Sequence, residues 1–178
     1  MYILIAAAAV IGLILVLASR KPDEFRVSRS AVVHAAPAVV FEQVNDMKKW
    51  QAWSPWARMD PQAAVTFEGP IAGTGAVTRW EGKKTGKGIM TLVESRPHSF
   101  IRFRLEFLKP MQATNTAEFS FAPEGAGTRV TWSMLGRNNF MGKIMSLFMN
   151  CEAMVGGQFE QGLGFLNDVA GKLPPQQA

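Results

Sequence analysis

The chain has little of the chemistry on which most enzymes depend. Its 178 residues include one cysteine, one tyrosine and two histidines. Cys151 has no partner for an internal disulfide, which excludes a small secreted domain built on disulfide bridges. Its apolar sequence neighbours predict a buried and unreactive thiol. The only tyrosine, Tyr2, lies in an N-terminal apolar run, so the rest of the chain has no phenol for acid catalysis.

Ligands for a metal ion are equally scarce. His34 and His98 lie at predicted element ends, and they lack the spacing of paired histidines in zinc-binding helices. The sequence therefore predicts neither a metal site nor a cofactor. The net charge of +5 comes from scattered lysines and arginines. Because nucleic-acid binding would need a basic stripe with exposed aromatic side chains, we expect no nucleic-acid partner.

The N-terminus carries a long apolar run. Residues Tyr2 to Ala18 contain no charged side chain, and Arg20 and Lys21 follow them. A helix of this length reaches close to the roughly 30 Å thickness of the hydrocarbon layer, so residues 1–21 are predicted to form a single-pass transmembrane anchor. The two basic residues favour a cytoplasmic domain. A cleaved signal peptide is the alternative, although no basic residue precedes the run.

The middle of the chain predicts an antiparallel sheet with one apolar face. Clusters of glycine and proline recur at short intervals between residues 65 and 135. Between them, apolar side chains alternate with polar ones, most clearly over residues 101–107. A further strand is predicted over residues 25–33 and a short helix near Val40. We expect about six to seven strands in all.

Helical periodicity follows the predicted sheet. Apolar residues recur every three or four positions from Phe140 to Leu166, which predicts one long C-terminal helix lying on the sheet. Gly156 and Gly157 are expected to bend or loosen this helix. Its first half carries an extra methionine stripe, which must be buried, hold a ligand or contact lipid. The stripe consists of Met141, Met145 and Met149.

Several short motifs carry a family resemblance. Ala36-Pro37 precedes Val40-Phe41, and a tryptophan-rich segment ends in Trp53-Ser54-Pro55-Trp56. Two later motifs are GAGTRVTW at residues 125–132 and NNFMGKIMSLFMN at residues 138–150. In this order, over residues 25–172, they resemble the SRPBCC superfamily in its polyketide cyclase and dehydrase branch. The resemblance implies an α+β helix-grip fold, also called START-like, in which a curved sheet wraps a long C-terminal helix around an apolar cavity. It does not imply a reaction.

More apolar side chains face the predicted interior than two packed layers need. We expect the excess to line a ligand cavity between the sheet and the C-terminal helix, with Trp53 and Trp56 near its mouth. The alternative for the tryptophan-rich segment is that it fills one end of the core. The predicted lining residues are Trp53, Trp56, Trp80, Met90, Leu92, Phe103, Phe119, Trp132, Met145, Phe148 and Met149.

Glu94 is the candidate for a polar group in this cavity. Alternation from Met90 and Leu92 places its carboxylate on the inward face, where burial would raise its pKa. The alternative is an ordinary strand residue that reaches solvent or pairs with Arg96 or Arg102.

These features favour membrane-anchored binding or transport of a hydrophobic small molecule or lipid, without catalysis. A polyketide cyclase or dehydratase-like enzyme is the first alternative, and it would need a second polar group beside Glu94 in the cavity. A protein-interaction module is the second alternative. It would expose the methionine stripe and fill the cavity with side chains.

Overall fold

The architecture was obtained as a computed structural model, which describes residues 2–173 except the side chains of residues 4, 7 and 8. An N-terminal helix, α1 (Tyr2–Ser19), precedes the rest of the fold. The later elements are β1 (Glu24–Val33), α2 (Pro37–Asn45), α3 (Trp50–Trp53), α4 (Pro55–Met59), β2 (Ala64–Glu68), β3 (Val77–Gly82), β4 (Gly86–Arg96), β5 (Phe100–Lys109), β6 (Ala113–Glu124), β7 (Gly127–Arg137), α5 (Phe140–Phe148) and α6 (Cys151–Ala170).

The seven strands form one antiparallel sheet in the order β1-β7-β6-β5-β4-β3-β2. Strands β2 to β7 follow one another as a meander, and β1 joins the sheet by pairing with β7 from Glu24↔Arg137 to Val33↔Thr128. The predicted α+β helix-grip fold, a curved antiparallel sheet with a long C-terminal helix, is confirmed. We call the sheet face that carries Phe103 and Trp132 the inner face, and the opposite one the outer face.

An aromatic cluster fills the grip of the sheet. The ring of Trp50, on α3, lies 5.4 Å from the ring of Phe103 and 5.7 Å from that of Trp132, both edge to face. The ring of Phe159, on α6, stacks on Trp132 with centroids 4.2 Å apart. Each such aromatic pair adds about 0.5–1.5 kcal/mol beyond the area it buries. The tryptophan-rich segment therefore fills the core, as in the alternative interpretation of the sequence.

The predicted C-terminal helix is two helices. Helix α5 ends at Phe148, and α6 begins at Cys151. The side chain of Asn150 accepts a hydrogen bond from the backbone N–H of Ala153 at 3.1 Å, so it caps the second helix. Apolar periodicity runs through the break, which is why the sequence pattern did not show it. Cys151 is half-buried in the first turn of α6, so the prediction of a buried thiol is wrong.

The two adjacent glycines do not interrupt α6, which is helical throughout. Gly156 lies against the guanidinium of Arg29, and a Cβ atom at this position would collide with it. Arg29 pairs with Glu152 at 2.7 Å and with Glu160 at 2.6 Å, which ties α6 to β1. Gly156 therefore makes room for the ion pairs of Arg29 within an unbroken helix.

Helix α1 carries an exposed apolar surface and packs against α5. Ala18 is buried and Ile14 is half-buried, whereas most of the other described side chains of α1 are exposed. Within residues 2–173, no helix has both the length and the apolar character required to cross a membrane. The predicted transmembrane span is therefore not supported.

We predict opposite effects on stability for alanine at two glycines of α6. A Cβ atom at Gly162 would lie 2.7 Å from the indole of Trp132 and 3.2 Å from Pro55, whereas one at Gly164 meets nothing within 4 Å. Gly162→Ala should lower the free energy of unfolding by about 1–3 kcal/mol through overpacking. Gly164→Ala should raise it by up to about 1 kcal/mol, because alanine favours the helix. Urea unfolding of both variants tests this, and equal effects would contradict the packing described.

Candidate functional site

The structure divides the predicted cavity residues into three groups. Trp53, Met90, Leu92, Phe103, Phe119 and Trp132 are buried in the core, while Trp56, Trp80 and Met145 are half-buried. Phe148 and Met149 are exposed, so they do not lie among the core side chains. The packed centre of the grip and its half-buried margin are therefore different regions of the inner face.

The half-buried margin follows one row of residues across the sheet. Strand pairing aligns Thr78 with Met90, Met90 with Leu105, and Leu105 with Asn115. Asn115 is in turn aligned with Gly136, and Gly136 with Phe25. Directly aligned residues share a sheet face, so this row lies on the inner face.

A second aromatic pair borders this row. Gly88 lies between Trp80 and Phe107 in the pairing, and the two rings meet edge to face at 5.9 Å. A side chain at Gly88 would collide with the indole of Trp80. We define the trough as Phe25, Thr78, Trp80, Met90, Leu105, Phe107 and Asn115. Thr78 and Met90 are buried at its base, and the other five are half-buried.

Two buried polar atoms of the trough have no hydrogen-bond partner within the described part of the chain. They are Oγ1 of Thr78 and Oδ1 of Asn115. The amide nitrogen of Asn115 donates to the sulfur of Met134 at 3.5 Å, which leaves its oxygen as the free acceptor. An unsatisfied buried polar group costs about 1–3 kcal/mol, so a hydrogen bond to either atom would stabilise the protein.

The sequence interpretation missed both residues, although the alternation of each strand places them at inward positions. Asn115 lies between Ala113 and Ala117 on the inward positions of β6, and Thr78 precedes the inward Trp80 on β3 by two residues. A polar residue at an inward position was the signal that could have identified them. Trp132 also has an unpartnered indole N–H, but it lies inside the packed cluster.

The turn between β3 and β4 fixes the indole of Trp80 at the trough. Its Nε1 donates to the carbonyl oxygen of Thr85 at 3.2 Å. The carboxylate of Asp60 accepts hydrogen bonds from the backbone N–H of Lys84 at 2.8 Å and from the backbone N–H of Thr85 at 3.2 Å. These bonds, the Lys84 bond foremost, hold the pKa of Asp60 below its usual value. Asp60 thus joins the end of α4 to the turn that holds the indole of Trp80.

Glu94 lies on the outer face, so its predicted inward position is wrong. A bulge shifts the register of β4, because Leu92 pairs with Phe103 whereas Glu94 pairs with Arg102. One extra residue moves every later side chain to the opposite face. Glu94 pairs with Arg96 at 2.7 Å and also with Arg102. The hydrogen bond from Arg96 is the main cause of its lowered pKa.

No carboxylate, histidine or cysteine belongs to the trough as defined. The described residues also contain no group of three His, Cys, Asp or Glu side chains that could hold a metal ion. Two surface grooves of about 530 and 200 Å³ are lined mainly by outer-face residues, among them Glu24, Arg26 and Arg137 in the larger one. Phe25 and Gly136 also line the larger groove, and Trp80 and Gly88 line the smaller, so each groove borders the row that forms the trough.

The sequence of residues 24–171 matches a family described as polyketide cyclase / dehydrase and lipid transport. The chain belongs to this family. The match covers the sheet and helices α2 to α6, and it places the trough inside the family region. No curated protein matches the chain.

Solved structures share the fold at low sequence identity. A protein from Chromobacterium violaceum is 17% identical with a TM-score of 0.59, over 84% of this chain and 98% of that one. The Aha1 dimer from Colwellia psychrerythraea is 11% identical with a TM-score of 0.59, over 82% and 96% of the two chains. The di-domain ARO/CYC BexL from the BE-7585A biosynthetic pathway is 19% identical with a TM-score of 0.60, over 89% of this chain and 53% of that one. These likenesses show the fold and leave the ligand open.

The contribution of Asp60 to stability should depend on pH. Its folded-state pKa is depressed, so it stabilises the protein above its unfolded pKa of roughly 4, and this stabilisation is lost as the pH falls through the folded value. Asp60→Asn should therefore unfold at lower urea concentration than the wild type at pH 7, and the difference should shrink below about pH 4. A difference that stays constant down to pH 3 would exclude a role for the ionised carboxylate.

Proposed function

We propose that the protein binds or transports a hydrophobic small molecule or lipid in the trough, at a membrane surface and without catalysis. The observation that carries this proposal is an apolar row of side chains that includes two buried oxygen atoms without partners. Ligand sites are commonly apolar surfaces with a few placed polar groups, and this row has that composition. Membership of a family described by lipid transport as well as cyclase activity supports the proposal.

The arrangement of the trough indicates the shape of the ligand. Thr78 and Asn115 lie on β3 and β6, three strand spacings apart, which corresponds to about 14 Å along the sheet. Met90 and Leu105 lie between them in the row. The best match is an elongated molecule with an apolar middle and a hydroxyl or amide near one or both ends. The Asn115 oxygen accepts a hydrogen bond, so it requires a donor from the ligand.

Binding fits the trough better than catalysis does. Its polar side chains are those of a threonine, an asparagine and a tryptophan, none of which titrates near neutral pH. A cyclase or dehydratase needs a positioned acid or base. Glu94, the predicted candidate, is engaged by arginines on the outer face. The enzyme alternative would therefore need a group from outside the trough.

Attachment to a membrane is the second part of the proposal. Helix α1 exposes Ile3, Ile5, Ile11, Leu13 and Val16 among other apolar side chains. An exposed apolar surface of this extent is rare on a soluble monomer and is typical of contact with protein or lipid. Arg20 and Lys21 follow the helix and are exposed, which suits the headgroup region of a bilayer.

A protein-interaction module is the second candidate function. The exposure of Met141 and Met149 and the filled centre of the grip are the features expected of it. The open trough with its unpartnered oxygens is not explained by this alternative. The binding experiment below separates the two, because a protein-interaction module has no reason to bind small apolar molecules in the trough.

We expect saturable binding of fluorescent fatty-acid or quinone analogues to the full-length protein in detergent. Leu105→Trp fills the trough, so it should weaken binding by about tenfold or more, whereas Leu108→Trp on the same strand is exposed and should change the affinity less than about twofold. Fluorescence titration measures both, with circular dichroism as the folding control. Equal affinities of the two variants and the wild type would rule the trough out.

Asn115→Leu separates a binding role from a structural one. Replacing a buried amide that has an unpartnered oxygen by a side chain of similar size should leave stability unchanged or raise it. The loss of the acceptor should weaken binding of a hydroxylated analogue by about tenfold. The affinity of the Asn115→Leu variant for the matched analogue without a hydroxyl should stay the same as that of the wild type. A loss of stability with unchanged affinity would assign Asn115 to the fold alone.

Full-length protein should fractionate with membranes and resist extraction by high salt. Salt screens charges, whereas the exposed side chains of α1 are apolar and their burial in lipid does not depend on ionic strength. Carbonate and detergent washes of the membrane fraction extend the test. Recovery of the intact chain in the soluble fraction would contradict the attachment.

A further inference from the structure

Helix α5 has its polar side towards the protein and its apolar side exposed. The side chain of Lys143 is only 12% exposed and pairs with Asp23, just before β1. By contrast, Phe140 is 50% exposed, Met141 56% and Phe148 71%. None of the nine residues of the helix is buried. The usual order for a surface helix of a soluble protein is the reverse.

The periodicity of α5 shows that its polar residues and its apolar residues lie on two opposite sides of the helix. At about 100° per residue, Gly142, Lys143 and Ser146 share one side. Phe140, Ile144 and Phe148 fall on the opposite side, and Met141 lies beside Phe148. Ile144 is half-buried and the other three are exposed, so an apolar stripe runs along this side of the helix.

Helix α1 packs against α5, so the stripe lies close to the apolar surface of α1. Val10, Ile11 and Leu13 are all exposed, although they point in three directions around α1. A protein partner covers one side of a helix, whereas lipid chains surround it. Because apolar side chains of α1 are exposed in several directions, lipid is favoured over a protein or a second copy of the chain as the occupant.

The stripe also lies next to one end of the trough. Helix α5 starts just after β7, and the backbone N–H of Asn138 donates to the carbonyl oxygen of Asp23 at 2.7 Å. Phe25 and Gly136, at the adjoining strand ends, belong to the row that forms the trough. A surface in contact with α5 is thus also near the Phe25 end of the trough.

We propose that the apolar stripe of α5 inserts into the acyl-chain region of a bilayer beside α1. The insertion places the Phe25 end of the trough at the lipid surface, so an apolar ligand passes between the bilayer and the trough without crossing water. This inference rests on the proposed membrane attachment. The role of α5 is the new element, since attachment through α1 alone would leave the stripe in water.

Site-specific lipid quenching tests the insertion in the full-length chain. On a Cys151→Ser background, single cysteines are placed by Phe148→Cys and Met141→Cys on the stripe, Ser146→Cys on the polar side, Ile11→Cys on α1, and Ala122→Cys in β6. Each is labelled with an environment-sensitive dye and reconstituted in vesicles of phosphatidylcholine and phosphatidylglycerol. Nitroxide groups on the lipid acyl chains serve as quenchers.

The labels at 148, 141 and 11 should lose at least about half of their fluorescence, and those at 146 and 122 should change little. The Ser146→Cys control lies on the same helix, so it separates insertion of the stripe from mere proximity. Quenching at 11 without quenching at 148 and 141 would overturn the role of α5 and leave the attachment standing. Quenching at none of the three would overturn both. Unquenched stripe labels whose emission shifts with protein concentration would assign the stripe to self-association and overturn the inference.

Discussion

The fold depends on the aromatic contacts that α3 makes inside the curved sheet. Trp50 and Trp53 lie only 4.4 Å apart by ring centroid, and Trp50 reaches Phe103, Phe119 and Trp132 on three neighbouring strands. The indole of Trp53 donates to the carbonyl oxygen of Gln43 at 2.9 Å, so its polar atom is satisfied. Because this cluster occupies the centre of the grip, any ligand site must lie beside it. The trough, which is the proposed ligand site, lies there.

Strand alternation predicted the sheet well, since its inward residues have to be apolar wherever one face is buried. Ile101, Phe103 and Phe119 lie in the core as their pattern indicated. The same rule failed at Glu94, where one bulged residue reversed the two faces of the strand. A bulge leaves no reliable mark in a single sequence, because it depends on pairing with the next strand.

Helical periodicity had a different limit. It identified residues 140–148 as helical but not the direction of their apolar side, because the period is the same whether that side faces the core or an outer surface. The break at Asn150 was hidden for a related reason, since the apolar spacing continues across it. The candidate site also depends on two polar residues whose importance lies in the absence of partners. Only the three-dimensional contacts reveal that absence.

The ion pairs of Arg29 also affect how the edge of the sheet can pair with other strands. Strand β1 is an edge strand, with unpaired backbone groups along its free side, and such edges tend to recruit strands from other molecules. Arg29 brings a cation to the inner face of this edge, held there by Glu152 and Glu160. A strand added beside β1 would place one of its inward side chains against this charged group, which an apolar aggregating segment cannot accommodate. The ion pairs that hold α6 on β1 therefore also disfavour edge-to-edge aggregation through this strand.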